Sequence, residues 1–524
     1  MHLIHIRTAH DGPGPILELE YHVADPPPYA ILSHRWGPAQ DEVTFQDLQG
    51  DGERALRKKG YAKLKSFCVA ATEYGLSHAW SDTCCIDKSS SAELSEAINS
   101  MYSWYESARV CFAYLEDVPA RCDPRAPASA FRESVWFTRG WTLQELIAPS
   151  DLIFVSSEWD APTLGSKASL ADLVEEITGV REDVLLDRRV LQSASVAEKM
   201  SWAAGRCTTR LEDEAYSLLG LFGVNMATIY GEGRRAFRRL QEEMMRSTQD
   251  HSIFAWNYPD ACSGMLAHSP RQFSGSAGYK PTEYTGFFER FRIENSSSLD
   301  LSYSMTNSGL RIQLPVVQMP SFFDGIVMAF LCCFWNASEK DQSNHSTIIF
   351  LTPRSGRPTG HYTRIPFDGH TVIHRSAPLQ YRDCASPQLL WISGEGGSFD
   401  GVLNPSPTRS FRITHTTSFS VELEVIAKNY VAAHQLLEVD YRPVHQPRRA
   451  RPSLIKLYRA RAARARAART WGLARSPSER LRRRGSRYHH AGRTWIATLV
   501  EGMASRCLLY RPTGWRQPDA TGKA

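Results

Sequence analysis

Residues 136–147 read W-F-T-R-G-W-T-L-Q-E-L-I. The block places Arg139, Trp141 and Glu145 at one predicted helix start, and residues four apart share a helix face, so Trp141 and Glu145 belong together. A carboxylate beside an indole suits a cationic or sugar-bearing ligand: the ring stacks on it, and the carboxylate stabilises developing positive charge. The block alone fits a structural role equally well, with Trp141, Leu143 and Leu146 in a core and Glu145 paired to Arg139.

The elements around the block must position it. After D-P-P-P at residues 25–28, Y-A-I-L-S-H-R-W-G reads as a short apolar strand that stops at Ser33 and opens into a loop. Tyr61, Leu64, Phe67, Ala71 and Tyr74 recur at helical spacing, and residues 78–86 predict a buried strand ending at Asp87. Ser90 and Glu93 form an S-x-x-E capping box ahead of a stripe of Leu94, Ile98, Met101, Tyr102 and Tyr105. Residues 110–115 give a third strand. Strands alternating with helices predict a parallel sheet with helices on both faces and right-handed crossovers. The carboxyl ends of its strands would then gather Ser33, Arg35, Trp36, Asp82 and the approach to Glu145 at one edge, where such sheets hold their ligands. Each residue also has a plain structural use: Ser33 as a strand-end cap, Trp36 as a loop anchor, Asp82 and Asp87 as turn formers.

Residues 195–246 read as helical. Gly231-Glu-Gly233 within them lacks both a preceding strand and the lysine-serine pair of a phosphate loop, so it reads as a turn between helices. Beyond Trp256 the pattern becomes alternating, at Leu310, Ile312 and Leu314 and again at Phe419, Val421, Leu423 and Val425, which predicts a mainly antiparallel β domain. His361, His370 and His374 are too irregularly spaced to indicate a metal site, and none is expected. The predicted organisation is a three-layer α/β domain over 1–190 with core motifs at 29–150, a helical extension over 191–256, a β-rich domain over 260–440 and a basic tail over 441–524.

The chain's 524 residues carry a net charge of +5. That figure hides a division, since residues 441–524 hold 21 of the 61 Lys+Arg but 3 of the 56 Asp+Glu, leaving the body acidic. No nucleic-acid partner is therefore expected for the folded body. The Arg/Ala-rich tail fits a disordered arm, a helix on RNA or an anionic membrane, or an intron or wrong frame read as coding sequence. Eleven cysteines without a C-x-x-C, a start without a signal-peptide core and no apolar run long enough to span a bilayer predict a cytosolic protein without disulfides.

With these blocks in place, the chain resembles the HET family, the heterokaryon-incompatibility domain of filamentous fungi. The resemblance is carried by Y-A-I-L-S-H-R-W-G at 29–37, W-S-D-T-C-C-I-D-K at 80–88, S-E-A-I-N-S-M-Y-S-W-Y at 95–105 and R-G-W-T-L-Q-E-L at 139–146. It continues through S-V-A-E-K-M-S-W-A-A-G-R, E-D-E-A-Y-S-L-L-G-L-F-G-V and Y-G-E-G-R-R-A-F-R-R-L-Q-E-E to S-I-F-A-W at 252–256. Arg35 stands where the family more often has a small residue, and Ser81 where isoleucine or valine is usual. The resemblance implies a cytosolic effector of allorecognition and programmed cell death, acting through self-association and with other incompatibility or receptor proteins. HET domains are also distantly similar to Toll/interleukin-receptor-type domains, some of which use a helix-borne glutamate to cleave nicotinamide from NAD. On that likeness Glu145 would be catalytic, Trp36 and Trp141 would stack on the ligand, and Ser33, Arg35 and Asp82 would position it. NAD would be substrate, with no resident cofactor required. The other reading that the resemblance allows is a non-enzymatic signalling module that self-associates through surfaces such as 102–106.

Overall fold

The structure, a computed structural model, describes residues 1–7, 15–50, 52–159, 162–256, 264–289, 302–318, 325–336, 345–354, 356–365, 372–373 and 386–393, with three further strands between 409 and 443. Seven strands form the first sheet: β1 (His2–Arg7), β2 (Ile16–Tyr21), β3 (Tyr29–His34), β4 (His78–Trp80), β5 (Val110–Tyr114), β6 (Leu152–Val155) and β7 (Gly165–Ser166). Their order is β2-β1-β4-β3-β5-β6-β7. The middle four are parallel, while β1, β2 and β7 add antiparallel edges. The strand β3 is buried at every position, as a central parallel strand covered on both faces must be. The α/β fold and its expected parallel strands are present, but antiparallel edges make the sheet mixed, where a parallel sheet was expected. The N-terminal hairpin and β6 were not anticipated, although Leu17-Glu18-Leu19-Glu20 alternates as a half-buried strand does.

Local corrections follow from hydrogen bonding. The strand expected over 78–86 ends at Trp80, because the amides of Cys84 and Cys85 turn back onto the Ser81 carbonyl at 3.2 and 2.8 Å. Both cysteines are buried, in this turn and not on a strand. Ser81 finds the hydroxyl partner a buried position demands in Thr83, at 3.0 Å. The helix Ser91–Ser107 starts as predicted, with Ser90 Oγ accepting from the Glu93 amide, but only half the capping box forms. The Glu93 carboxylate instead accepts from the Asp87 amide at 2.9 Å. The 136–147 block is two pieces, a 3-10 turn Val135–Thr138 and a helix Thr142–Ile147.

The extension folds onto the sheet domain through helices Val196–Ala203, Asp213–Tyr216, Leu219–Phe222 and Arg235–Ser247. The turn at Gly231 and Gly233 is pinned by the Glu212 carboxylate, which accepts from both amides. Tyr102, expected on an open surface, is partly buried against Gly220: a Cβ at Gly220 would stand 2.0 Å from the Tyr102 Cβ. Glu106 is likewise engaged, by Arg188 at 3.3 Å.

The second sheet comprises β8 (Tyr279–Pro281), β9 (Ser304–Thr306), β10 (Gly309–Gln318), β11 (Val327–Trp335), β12 (His345–Pro353), β13 (His361–Arg364), β14 (Val372–Ile373) and β15 (Ser386–Ile392). It is mainly antiparallel, as expected, and it closes on itself. The ring runs β10-β11-β12-β13-β15 and back to β10, with one parallel pair, β13 and β15. A closed ring leaves no exposed central edge. One apolar core runs from Leu3 to Ile392 through the sheet domain, the extension and this barrel, and Met1–Met319 with Asp324–Asp400 forms one compact unit. The buried Arg364 joins barrel to extension by donating to the Phe254 and Trp256 carbonyls. A separate unit contains the antiparallel meander β16 (Arg409–Thr414), β17 (Ser420–Ala427) and β18 (Leu437–Pro443). The expected basic tail lies outside the described residues after Pro443, as do His370 and His374. Among the described residues no helix is long and apolar enough to cross a membrane.

Gly220→Val should lower stability by about 1–3 kcal/mol, the usual cost of overpacking a closed contact. Gly205→Ala, where an added methyl meets nothing within 4 Å, should be near neutral. Urea denaturation of the two variants beside the parent checks this, and equal midpoints for all three would contradict the packing of Gly220 on Tyr102.

Candidate functional site

In the parallel part of the first sheet the chain places β4 on one side of β3 and then β5 on the other, so the winding reverses between β3 and β5. Loops diverge there at the carboxyl ends of the strands and leave a crevice. A cavity of about 260 Å³ lies at that edge, lined by Arg35 just after β3, Tyr114, Glu116 and Asp117 around the end of β5, and Val135 and Trp136. Arg35 is exposed.

Behind this wall sits Glu145. Its residue is 6% exposed, and it is absent from the cavity lining. Ser33 Oγ donates to Glu145 Oε2, and Ser33 Oγ in turn accepts the Trp136 indole N–H at 2.9 Å. A chain of two hydrogen bonds thus runs from the cavity wall to the carboxyl. Burial raises the Glu145 pKa to about 8, the charge of Asp82 adding to the effect and Ser33, Arg139 and Arg206 opposing it. The group is therefore mostly protonated at neutral pH. Tyr105 stands beside it with its hydroxyl donating to the Leu32 carbonyl at 3.1 Å.

The helix carrying Glu145 is held at both ends. At its start, Thr142 Oγ1 reaches the Trp136 carbonyl at 2.6 Å, and Arg206 from the extension donates to Thr142 Oγ1 and to the Arg139 carbonyl. The segment before the helix is clamped by Cys207, whose amide donates to the Thr138 carbonyl at 2.7 Å while its own carbonyl accepts from Gly140 at 2.9 Å. A Cβ at 140 would meet Thr208 Cγ2 at 2.4 Å, so any larger residue there must displace that side chain. At the other end the buried Lys167 ammonium donates to the Leu146 and Ile147 carbonyls and to Pro149, capping the helix. Burial pushes Lys167 down to about 8.

The remaining candidates fall into separate places. Trp36 and Asp82 meet, Trp36 Nε1 donating to Asp82 Oδ2 at 2.8 Å, and Lys88 lies over the indole at 3.8 Å. One face of Trp36 is thus covered by a cation, while the residue remains 48% exposed. Burial raises the Asp82 pKa, with Lys88 and Trp36 pulling against it. Trp141 does not join the cavity: its indole bonds to Asp213 of the extension, and it packs on the core. Arg139, expected to pair with Glu145, donates to Thr209 and acts on Glu145 through charge alone. The structure therefore unites Ser33 with Glu145 and Trp36 with Asp82, puts Arg35 on the cavity and leaves Trp141 apart.

Sequence reasoning missed Tyr105, Trp136, Arg206 and Glu42. Glu42 is buried, accepts from the Gly37 amide at 2.7 Å and pairs with Lys63 at 2.8 Å, fixing the loop that carries Arg35 and Trp36. No local spacing announces these contacts, which span tens of residues of chain. Trp136 alone was within reach, as the other indole of the block.

A mixed α/β domain with a cavity at the reversal point of its parallel strands and a buried carboxyl behind it is the class that this geometry defines. Residues 29–126 match the family described as Heterokaryon incompatibility protein (HET), and residues 235–265 match a domain of unknown function, DUF8212. Over 223 residues the chain is 47% identical to the Vegetative incompatibility protein HET-E-1 of Podospora anserina, a match covering 42% of this chain and 16% of that protein. The N-terminal domain of this chain is thus similar to the HET family over residues 29–126. No solved structure matches the chain.

A buried carboxyl titrating near 8 costs stability whenever it must ionise. The unfolded chain releases that proton near 4.5, the folded chain near 8, so between these pH values the native state holds the extra proton and stability falls as pH rises. Glu145→Gln removes this loss. The variant's melting temperature should gain on the parent's progressively from pH 5 to pH 8, whereas a constant difference across that range would mean Glu145 is ionised in the fold.

Proposed function

We propose that this chain is a cytosolic effector of heterokaryon incompatibility and programmed cell death, whose HET domain cleaves the nicotinamide–ribose bond of NAD. The biological part rests on the HET match and on the likeness to HET-E-1, of which this chain spans a small fraction. The parallel order in which β4 and β5 flank β3 supports the finer reading of a doubly wound, three-layer domain similar to Toll/interleukin-receptor-type domains.

One observation carries the chemistry: a carboxyl linked through Ser33 to Trp136, on the wall of the cavity at the strand reversal point. In NAD the nicotinamide is already cationic and leaves with the electron pair of the C–N bond, so no general acid is needed. Water adds at the ribose carbon and gives up a proton, and a carboxylate nearby stabilises the oxocarbenium-like transition state. Glu145 fits that role once ionised, which the approach of a cationic ring favours. Arg35 suits the pyrophosphate and the open face of Trp36 suits stacking. Because Glu145 is closed off, the active form requires the Ser33–Trp136 wall to open, and self-association or a partner incompatibility protein is the trigger that suits an effector of this kind.

A second reading has an observation of its own. Glu145 is as buried as a structural carboxyl, with Ser33 holding one of its oxygens, which suits a non-enzymatic module that self-associates and recruits other effectors.

NAD consumption by the purified full chain at high protein concentration separates the two. Truncation at residue 256 would break the common core and is avoided. The enzymatic reading expects release of nicotinamide, a rate rising with pH toward a limb near 8, and a loss of at least about 100-fold in Glu145→Ala. A folded, self-associated sample that leaves NAD intact would establish the second reading instead.

A further inference from the structure

Four ligating side chains lie together at the opposite side of the first sheet from the cavity strands: His5 on β1, Glu20 on β2, His22 just past the end of β2, and His78 on β4. The register explains why. Across β1 and β4, His5 faces His78, and across β1 and β2, Leu3 faces Glu20. Residues two apart in a strand share a face, so His5, Glu20, His78 and His22 are brought to one side. Glu20 sits among the three rings, its Oε1 2.6 Å from His5 Nδ1, and its Oε2 3.4 Å from His78 Nε2 and 3.8 Å from His22 Nε2.

We propose that His5, Glu20 and His78, with His22 as a fourth donor, bind a divalent transition metal of the zinc class and staple the N-terminal hairpin to the parallel sheet. One ligand atom from each of His5, Glu20 and His78 lies within 4.8 Å of the others, whereas donors around a tetrahedral Zn²⁺ stand roughly 3.3 Å apart. Small rotations of the rings and the carboxylate close that gap.

Three observations beyond proximity point to a metal. His22 Nε2 is shut off from solvent without a hydrogen-bond partner, so a buried ring nitrogen is left for a ligand to satisfy. His78 has its other nitrogen, Nδ1, held at 3.0 Å by Ser77 Oγ, the kind of outer contact that orients a metal-binding imidazole. The rings of His5 and His78 stack at 4.9 Å, a contact that two imidazolium cations would oppose. Three imidazoles and one carboxylate select a borderline metal such as Zn²⁺ over Mg²⁺ or Ca²⁺, which prefer oxygen.

The site would serve structure, because β1 meets β4 over a short seam, with Ile4 paired to Ala79, His5 to His78 and the Ile6 amide donating to the Ser77 carbonyl at 2.8 Å. A metal bridging the three strands reinforces that narrow seam.

The test uses the full chain, stripped with chelator and dialysed against micromolar Zn²⁺, with bound metal and melting temperature both measured. One Zn²⁺ per chain and a raised melting temperature are expected, with affinity lowered at least about 100-fold in His5→Gln/His78→Gln and unchanged in His361→Gln. Circular dichroism of the metal-free proteins shows whether the double variant folds; if it does not, Glu20→Gln carries the same expectation. Failure of the parent to take up stoichiometric Zn²⁺, or uptake unaltered by these variants, overturns the proposal.

Discussion

The hydrogen bond from Ser33 to Glu145 is the contact on which the N-terminal domain turns. A carboxyl taken out of water must keep its proton or find partners that repay the lost hydration. Here it does both in part: burial raises its pKa, and Ser33 holds one oxygen. Because Ser33 lies on the central strand and also receives the Trp136 indole, a single hydroxyl ties together β3, the 3-10 turn and the helix bearing Glu145. That helix has six residues, too few to stand alone, and survives through Arg206 at its start and Lys167 at its end.

The extension and the barrel are part of the same argument. Arg206 and Cys207 belong to the extension, so the geometry at Glu145 depends on residues sixty positions further along the chain. The extension in turn is seated on the barrel: Ser195 Oγ donates to the Tyr279 carbonyl at 2.6 Å, and Glu198 pairs with Lys280 at 2.5 Å. The buried His251 joins them again, its Nδ1 accepting from the Cys332 amide and its Nε2 meeting Tyr284, and burial pushes its pKa down to about 3. It is a neutral structural ring. The β region thus acts as the platform of the extension, whatever else it does.

Much of this was legible in residue patterns. The runs at 29–32 and 110–114 are apolar throughout, which is what parallel strands with two covered faces require, and the stripe from Leu94 to Tyr105 announces its helix. The convergence of Ser33 and Glu145 follows from that topology. The misses have physical causes. The strand at His78 stops early because Ser81 draws two amides into a turn, which no hydropathy pattern records. The 136–147 block breaks because Cys207 pairs with its backbone from a distance. Trp141 caps the start of the helix that carries Glu145, yet its indole finds Asp213 in the extension, and helical spacing cannot foresee a partner from another element. The closed barrel was unreadable for a related reason, since closure depends on β13 pairing in parallel with β15 and not on either strand's own sequence.

The most direct test of this account is the titration of the Glu145 carboxyl itself, followed by carbon-13 NMR of glutamate-labelled protein and assigned by its loss in Glu145→Gln. A midpoint near 8 is the result expected of a carboxyl held neutral by burial behind Ser33 and Trp136. A midpoint near the ordinary 4.5 would contradict it, because it would mean that the group is ionised and open to water in the folded domain.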